Sequence, residues 1–361
     1  MKISQIMKHI EAFAPLGLAL NWDNVGLQIG DKDWDVSSVL VSLDVTPIAV
    51  ERAISSGCQL ILSHHPLIFR PIKSIVHPLH IRLIQHQIAV ISLHTNLDVA
   101  RQSVNHALAE RLGLQVLESL SSETGAKNHH IVVDCPPEAV DRVCEAAWQA
   151  GAGTIGNYYR CGTRHGVQAN FSPGAKANPY ATVDNGSTKA EMALEFMCDS
   201  FCLQIVLAAI IRVHPYETPA LYHFPVDSPN PAYGLGLVCK DTEAGSLAEL
   251  AERVKTRLNC PQLKLWTAGL EGKTPIGRIA VCGGSGASLL AAAEAKAQLY
   301  ISGDIGYHNF LDSRIPIIDA GHFYTEYPAL DLLKGKMQEL GISSLILAQQ
   351  EHEYFRNMQF I

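Results

Sequence analysis

Short apolar runs alternate with amphipathic stretches through the first third of the chain. Val39 to Leu43 reads as a buried strand, Pro47 to Ser56 as a helix and Gln59 to Ser63 as the next strand. His80 to Gln87 has helical spacing, Ile88 to Leu93 is a third strand, and Gln102 to Leu112 a further helix. Strand and helix in alternation predict β-α-β units around a mostly parallel sheet. The pattern changes between two polar stretches, Ser121 to Asn128 and Pro225 to Pro231. Between them the order is strand (Ile131 to Asp134), helix (Glu138 to Gln149), extended runs near Ile155 to Cys161 and Glu191 to Met197, helix (Cys202 to Arg212) and strand (Leu221 to Val226). That order, β-α-β-β-α-β, predicts a ferredoxin-like α+β sandwich. Pro173 to Thr188 shows no periodicity and reads as a long loop.

After Tyr233 the first pattern returns. Strands are expected at Gly234 to Cys239, Arg278 to Cys282, Gln298 to Ser302, Ile315 to Ile318 and Leu345 to Leu347, with helices at Leu247 to Leu258 and Ser288 to Lys296. The expected architecture is therefore a discontinuous α/β domain with mostly parallel sheets, residues 1–125 and 232–361, interrupted by an inserted domain, residues 126–231.

Composition narrows the class. The 361 residues are 47% hydrophobic and 17% charged, as in an ordinary globular protein. No stretch reaches the roughly 18 uncharged apolar residues of a spanning helix, and Met1 to Ala19 lacks the layout of a signal peptide. Net charge is −7 and the 28 basic residues are scattered, which argues against nucleic acid as a partner. Nine cysteines, an odd number without a C-x-x-C, suggest a reducing compartment, hence a cytoplasmic protein. Cys198 and Cys202 read as buried thiols rather than half a zinc site.

Three segments place imidazoles or carboxylates at the C-terminal end of an expected strand, the edge where open α/β sheets bind ligands. In Ile61-Leu-Ser-His-His-Pro66, adjacent residues of a regular strand would face opposite ways. Pro66 restricts the residue before it, so at the turn His64 and His65 could both enter one cleft. In Ile91-Ser-Leu-His-Thr-Asn-Leu-Asp98, Asp98 offers oxygen to a cation, while His94 and Asn96 could orient water or substrate. In Ile317-Ile-Asp-Ala-Gly-His-Phe-Tyr-Thr-Glu326, Gly321 permits a sharp turn, and His322 and Glu326 stack four apart on a first helical turn. Three imidazoles and two carboxylates suffice for two divalent ions if one carboxylate bridges. Mixed nitrogen and oxygen ligands suit Zn, Mn or Fe. Gly283-Gly-Ser-Gly286 reads as a phosphate cradle or a plain tight turn, and Gly303-Asp304 and His308 as supporting partners of the ligands.

Asn21-Trp-Asp-Asn-Val-Gly-Leu-Gln28, Ser63-His-His-Pro66, His94-Thr-Asn-Leu-Asp98 and Gly321-His-Phe-Tyr-Thr-Glu326 stand in the order seen in the Nif-three-like family, also called GTP cyclohydrolase I type 2 homologs, which this chain resembles over nearly its whole length. The resemblance implies a dinuclear centre with His65 and Asp98 on one ion, His64 and His322 on the other, and Glu326 bridging. It also implies a ring-shaped homohexamer with the metals facing an internal cavity. The insert looks like the nitrogen-regulator and divalent-cation-tolerance sandwiches, and His214-Pro-Tyr-Glu-Thr-Pro219 is similar to a signature found there. It departs from the family at Gly166-Val-Gln-Ala-Asn-Phe-Ser172, where Gly-Thr-Gly-Thr-Phe-Arg is usual.

Two ions sharing a water bring its pKa near 7, which predicts hydrolysis of a phosphate ester or a purine ring, with His94 shuttling protons. The resemblance implies GTP ring opening for some members. The competing expectation is a non-enzymatic, metal-loaded hexamer acting as regulator, metal carrier or scaffold.

Overall fold

The computed structural model describes residues 1–121, 127–156, 158–180, 187–229 and 232–352. It divides into two compact units, Met1–Gly125 with Ala232–Ile361, and Ala126–Pro231. Residues 122–126 and 230–231 of the polar stretches, and 181–186 of the long loop, lie outside the described residues.

The first unit opens with α1 (Ile3–Phe13), β1 (Gly26–Ile29), β2 (Ser38–Ser42), α2 (Pro47–Ser55), β3 (Leu60–Ser63), α3 (Pro78–Gln85) and β4 (Ala89–Ser92). A one-turn α4 (Thr95–Val99), α5 (Val104–Leu112) and β5 (Leu114–Ser121) follow. Local chemistry sets the helix starts: the Thr46 side chain caps α2 ahead of Pro47, and Ser103 caps α5. β3 and β4 are buried along their whole length, so their apolar residues run continuously instead of alternating.

The second unit runs β6 (Lys127–Cys135), α6 (Val140–Gln149), β7 (Thr163–Phe171), β8 (Ser187–Asp199), α7 (Leu203–Val213) and β9 (Leu221–Pro229). Its sheet has the order β7-β8-β6-β9, antiparallel throughout. Both helices pack against the core of Ile131, Val133, Leu194 and Phe196. The extended run expected near Ile155 to Cys161 is not a strand. Ile155 and Tyr158 exchange backbone hydrogen bonds in a tight turn, and the strand is β7, just downstream. β7 lies at the sheet edge and mostly faces solvent, so no apolar alternation marks it, while Ile155, Tyr158 and Tyr159 are exposed.

The chain returns to the first unit through β10 (Leu235–Asp241), α8 (Leu247–Arg257), β11 (Lys264–Trp266), β12 (Arg278–Ser285) and α9 (Leu290–Lys296). It ends with β13 (Leu299–Gly303), α10 (Tyr307–Asp312), β14 (Ile317–Asp319), α11 (His322–Glu326), α12 (Ala329–Glu339) and β15 (Ser343–Ile346). Two sheets result, β1-β4-β3-β2-β15 and β11-β14-β13-β12-β10-β5. In the first, only the β1–β4 pairing is antiparallel. The second corrects the expectation of mostly parallel sheets: β12, β13 and β14 are parallel, but β5–β10, β10–β12 and β11–β14 are antiparallel. For β5–β10 the register gives the reason: Ser121, the last residue of β5, pairs with Leu235, the first of β10, so the chain leaves and re-enters at one end of the sheet, as across a hairpin. Among the described residues no helix is long and apolar enough to cross a membrane.

Candidate metal centre

The C-terminal ends of β3, β4 and β14 converge within the first unit. Past Ser63 the backbone keeps contact with the end of β2: His64 N–H donates to Ser42 O at 3.1 Å and His65 N–H to Leu43 O at 2.8 Å. Successive N–H groups bonding to one neighbour break the alternation of a regular strand. Both rings therefore turn to the same side, with centroids 5.0 Å apart. After β4, α4 carries Asp98 on a helical turn rather than a strand tip. After β14, Gly321 adopts φ +83° and starts α11, which aligns His322 and Glu326 four apart.

These elements bring the five donors together. One atom each from His64, His65 and Glu326 lies within 4.8 Å of the others. Glu326 sits at the centre: its Oε1 is 3.5 Å from His64 Nε2 and 3.2 Å from His322 Nε2, and its Oε2 is 2.9 Å from His65 Nε2. Asp98 Oδ1 lies 3.8 Å from His64 Nε2. The resemblance implies His65 beside Asp98; in the structure the nearer ring is that of His64, and the ion-pair contacts of His65 go to Asp44 and Glu326.

Each imidazole is held from behind. His64 Nδ1 donates to Leu93 O at 2.7 Å, His65 Nδ1 meets Asp44 at 2.8 Å, and His322 Nδ1 meets Asp304 at 2.7 Å. Fixing Nδ1 leaves Nε2 as the atom offered to the centre, the usual arrangement behind a metal-bound histidine. His64 and Glu326 are buried, and His64 Nε2 makes no hydrogen bond although it faces Glu326 Oε1 and Asp98 Oδ1. A ring nitrogen without a hydrogen bond is costly in a protein interior. A divalent cation between it and the carboxylates would satisfy it, so the donor set fits a metal.

The electrostatics agree. Burial disfavours the charged forms here, yet hydrogen bonds to Asp44 and Glu326 push His65 up to about 11, and those to Glu326 and Asp304 bring His322 to about 9. Burial also opposes the charge on Glu326, but the imidazoles around it hold its carboxyl well below the usual range. Burial raises Asp98. In the metal-free protein, protons on the rings thus supply positive charge that a bound cation would otherwise supply.

His94 stands beside this cluster, its ring 5.4 Å from that of His64 and 5.7 Å from that of His65. Asp23 holds His94 Nδ1 at 2.9 Å and accepts from Thr95 N–H at 3.0 Å. Burial opposes the charge on Asp23, but hydrogen bonds from His94 and Thr95 lower its pKa to about 2. Trp22 packs edge-on against His94 with centroids 6.0 Å apart. Asn96, in contrast, is buried, and its side-chain N–H donates to Ala14 O at 2.9 Å, which holds the amide within the packing.

Sequence reasoning missed Asp44 and Asp23 as partners of the histidines. Asp44 follows the end of β2, beside β3, and could have been found by the same strand-edge argument. Asp304 was flagged and meets His322; His308 packs against Tyr307 instead. Gly283-Gly-Ser-Gly286 is not a phosphate cradle. Gly283 and Gly284 belong to β12, and their missing side chains make room for α11: a Cβ on Gly284 would stand 2.2 Å from Glu326 Oε1. Gly284 N–H also donates to Thr325 Oγ1 at 2.9 Å, which ties the strand to the helix that carries Glu326.

Fold and site together define a mixed α/β protein with a buried imidazole–carboxylate cluster suited to a divalent ion. The family model for Duf34/NIF3 (NGG1p interacting factor 3) matches residues 1–351, and the chain belongs to this family. A Staphylococcus epidermidis protein named GTP cyclohydrolase 1 type 2 homolog is 33% identical over 348 residues, 94% of this chain and 93% of the relative. One of the same name from Staphylococcus aureus strain COL is 35% identical over 343 residues, 92% of each. The crystal structure of a Bacillus cereus protein related to NIF3 superposes with a TM-score of 0.85 at 30% identity, covering 100% of this chain and 99% of that one.

Proposed function

We propose that this protein is a hydrolase dependent on two divalent ions, Zn, Fe or Mn, held by His64, His65, Asp98, His322 and a bridging Glu326. The observation that carries the reading is the buried His64 Nε2, which makes no hydrogen bond yet faces Glu326 and Asp98, among imidazoles whose Nδ1 atoms are already committed. When bound, such ions would supply Lewis acidity and acidify a water to near neutral pH. The chain's own groups do the rest. With Nδ1 held by Asp23, His94 is free to take up and return a proton at Nε2 beside the cluster. The name of the relatives supports opening of a GTP ring, and a phosphoester is the second substrate class that suits this chemistry. A homohexamer follows from the family resemblance, and nine free thiols support a cytoplasmic setting.

The test is elemental analysis together with turnover of GTP and a panel of phosphate esters by metal-loaded and chelated protein. Two ions per chain and turnover that vanishes with chelator, and also in Asp98→Ala and Glu326→Ala, are expected. Turnover unchanged in both variants would overturn the assignment. A second reading, a metal-loaded regulator or carrier, is supported by the inserted unit, which runs β-α-β-β-α-β with the sheet order β7-β8-β6-β9. Nucleotide binding without turnover would select it.

A further inference from the structure

The inserted unit has a cavity of its own, about 450 Å³, whose lining includes Glu138, Phe171, Tyr180, Lys189, Glu191 and Tyr216. Glu191 on β8 is only 5% exposed and accepts a hydrogen bond from the Tyr216 phenol at 2.6 Å. Burial and the adjacent carboxylate keep that phenol protonated, its pKa well above the usual value. Tyr216 therefore donates, and Glu191 keeps acceptor capacity. Among the described residues no Lys, Arg or His forms an ion pair with Glu191, although Lys189 lines the same cavity. A buried carboxylate in this condition is costly unless a cation meets it.

The walls suit a cation. The Tyr180 ring leans on Tyr216 with centroids 5.9 Å apart, and Phe171 closes the side where β7 ends. Tyr216 is itself held in place. Its N–H donates to His214 Nδ1 at 3.1 Å, and His214 Nε2 donates to Asp134 O at 3.0 Å. The segment bearing Tyr180 is tied down where Asn178 N–H donates to Glu217 at 3.0 Å. Glu138 and Glu217 add two carboxylates to the lining against the one ammonium of Lys189. Aromatic faces and a desolvated carboxylate are the two groups that recognise an ammonium head.

We propose that this cavity binds a small organic cation, a primary ammonium on an apolar stem, with its head on Glu191 and its stem along the rings of Tyr180 and Phe171. The site lies wholly in the inserted unit and does not depend on the metal-centre reading. The probe is n-butylammonium titrated into the full-length protein by NMR, with 1-butanol and butyrate as neutral and anionic counterparts of the same shape. Saturable binding with a Kd on the order of millimolar is expected for so small a ligand, unchanged after chelation. Glu191→Gln should weaken it at least ~10-fold through loss of the charged acceptor. Tyr180→Ala, at an exposed position where folding is preserved, should weaken it severalfold. Butanol or butyrate binding as tightly as butylammonium would overturn the proposal. So would the absence of saturation, or undiminished affinity in a folded Glu191→Gln or Tyr180→Ala protein.

Discussion

Replacing Gly284 by alanine perturbs the candidate centre without altering any ligand. The added Cβ would lie 2.2 Å from Glu326 Oε1, 3.1 Å from its Cδ and 3.3 Å from His322 Nε2. Reaching ordinary contact at 3.4 Å obliges the carboxylate to retreat by about 1.2 Å. For the fold this is cheap, because the clash is with the tip of a flexible side chain. Holding alanine at φ +65° costs about 1–2 kcal/mol, because the left-handed region is strained for any residue with a Cβ. For the centre it is severe, since metal–ligand distances tolerate only about 0.2 Å. The expected result is a melting temperature within a few °C of wild type and metal affinity reduced by at least ~10–100-fold. Equilibrium dialysis with elemental analysis measures the second, circular dichroism the first. Gly335→Ala, in α12 with open space around it, is the matched control. It should gain up to about 1 kcal/mol and leave metal content untouched. A folded Gly284→Ala protein with full metal content would refute Glu326 as a ligand.

Further predictions concern the groups behind the ligands. In the metal-free protein His65 and His322 titrate at about 11 and about 9, against 6.5 when unfolded. Raised values stabilise fully below the unfolded pKa, and the contribution is lost as pH rises through the folded ones. Chelated protein should therefore melt lower near pH 9.5 than near pH 6.5, and the stabilisation by added metal should grow over that range as fewer protons are displaced; a shrinking metal increment in thermal melts would contradict the ligand assignment. Asp23→Asn should cost about 2 kcal/mol in urea unfolding at pH 7, because its pKa drops from 3.8 to about 2 on folding. That contribution is present above the unfolded value and fades as pH falls through the folded one, so an undiminished difference near pH 2 would rule out the mechanism. Asp304→Asn should weaken metal binding by about 10–100-fold with little effect on folding, read by competition with a chelating dye; unchanged affinity would mean that the carboxylate does not orient His322.

Periodicity made much of the architecture legible, because buried strands such as Leu60–Ser63 must be apolar throughout and amphipathic helices such as Leu247–Arg257 must repeat with the helical turn. It failed at β7, whose identity lies in its pairing with β8, and it could not foresee the antiparallel pairing of β5 with β10, strands separated by the whole insert. The donor residues were legible for a similar local reason. Histidines and carboxylates at strand tips stand out against an apolar background, and Gly321 and Pro66 mark the turns that redirect them.

Local pattern thus sufficed to name the side chains able to carry the chemistry and the elements on which they ride. Packing sets which atoms face one another: His64 rather than His65 beside Asp98, Asp44 and Asp304 behind the rings, and β12 glycines pressed against Glu326. Side-chain identity and local spacing are properties of neighbours along the chain, whereas a donor set is a matter of distances within a few ångströms between residues more than two hundred positions apart. Those distances are set by how two sheets and their helices pack, and no local pattern encodes them.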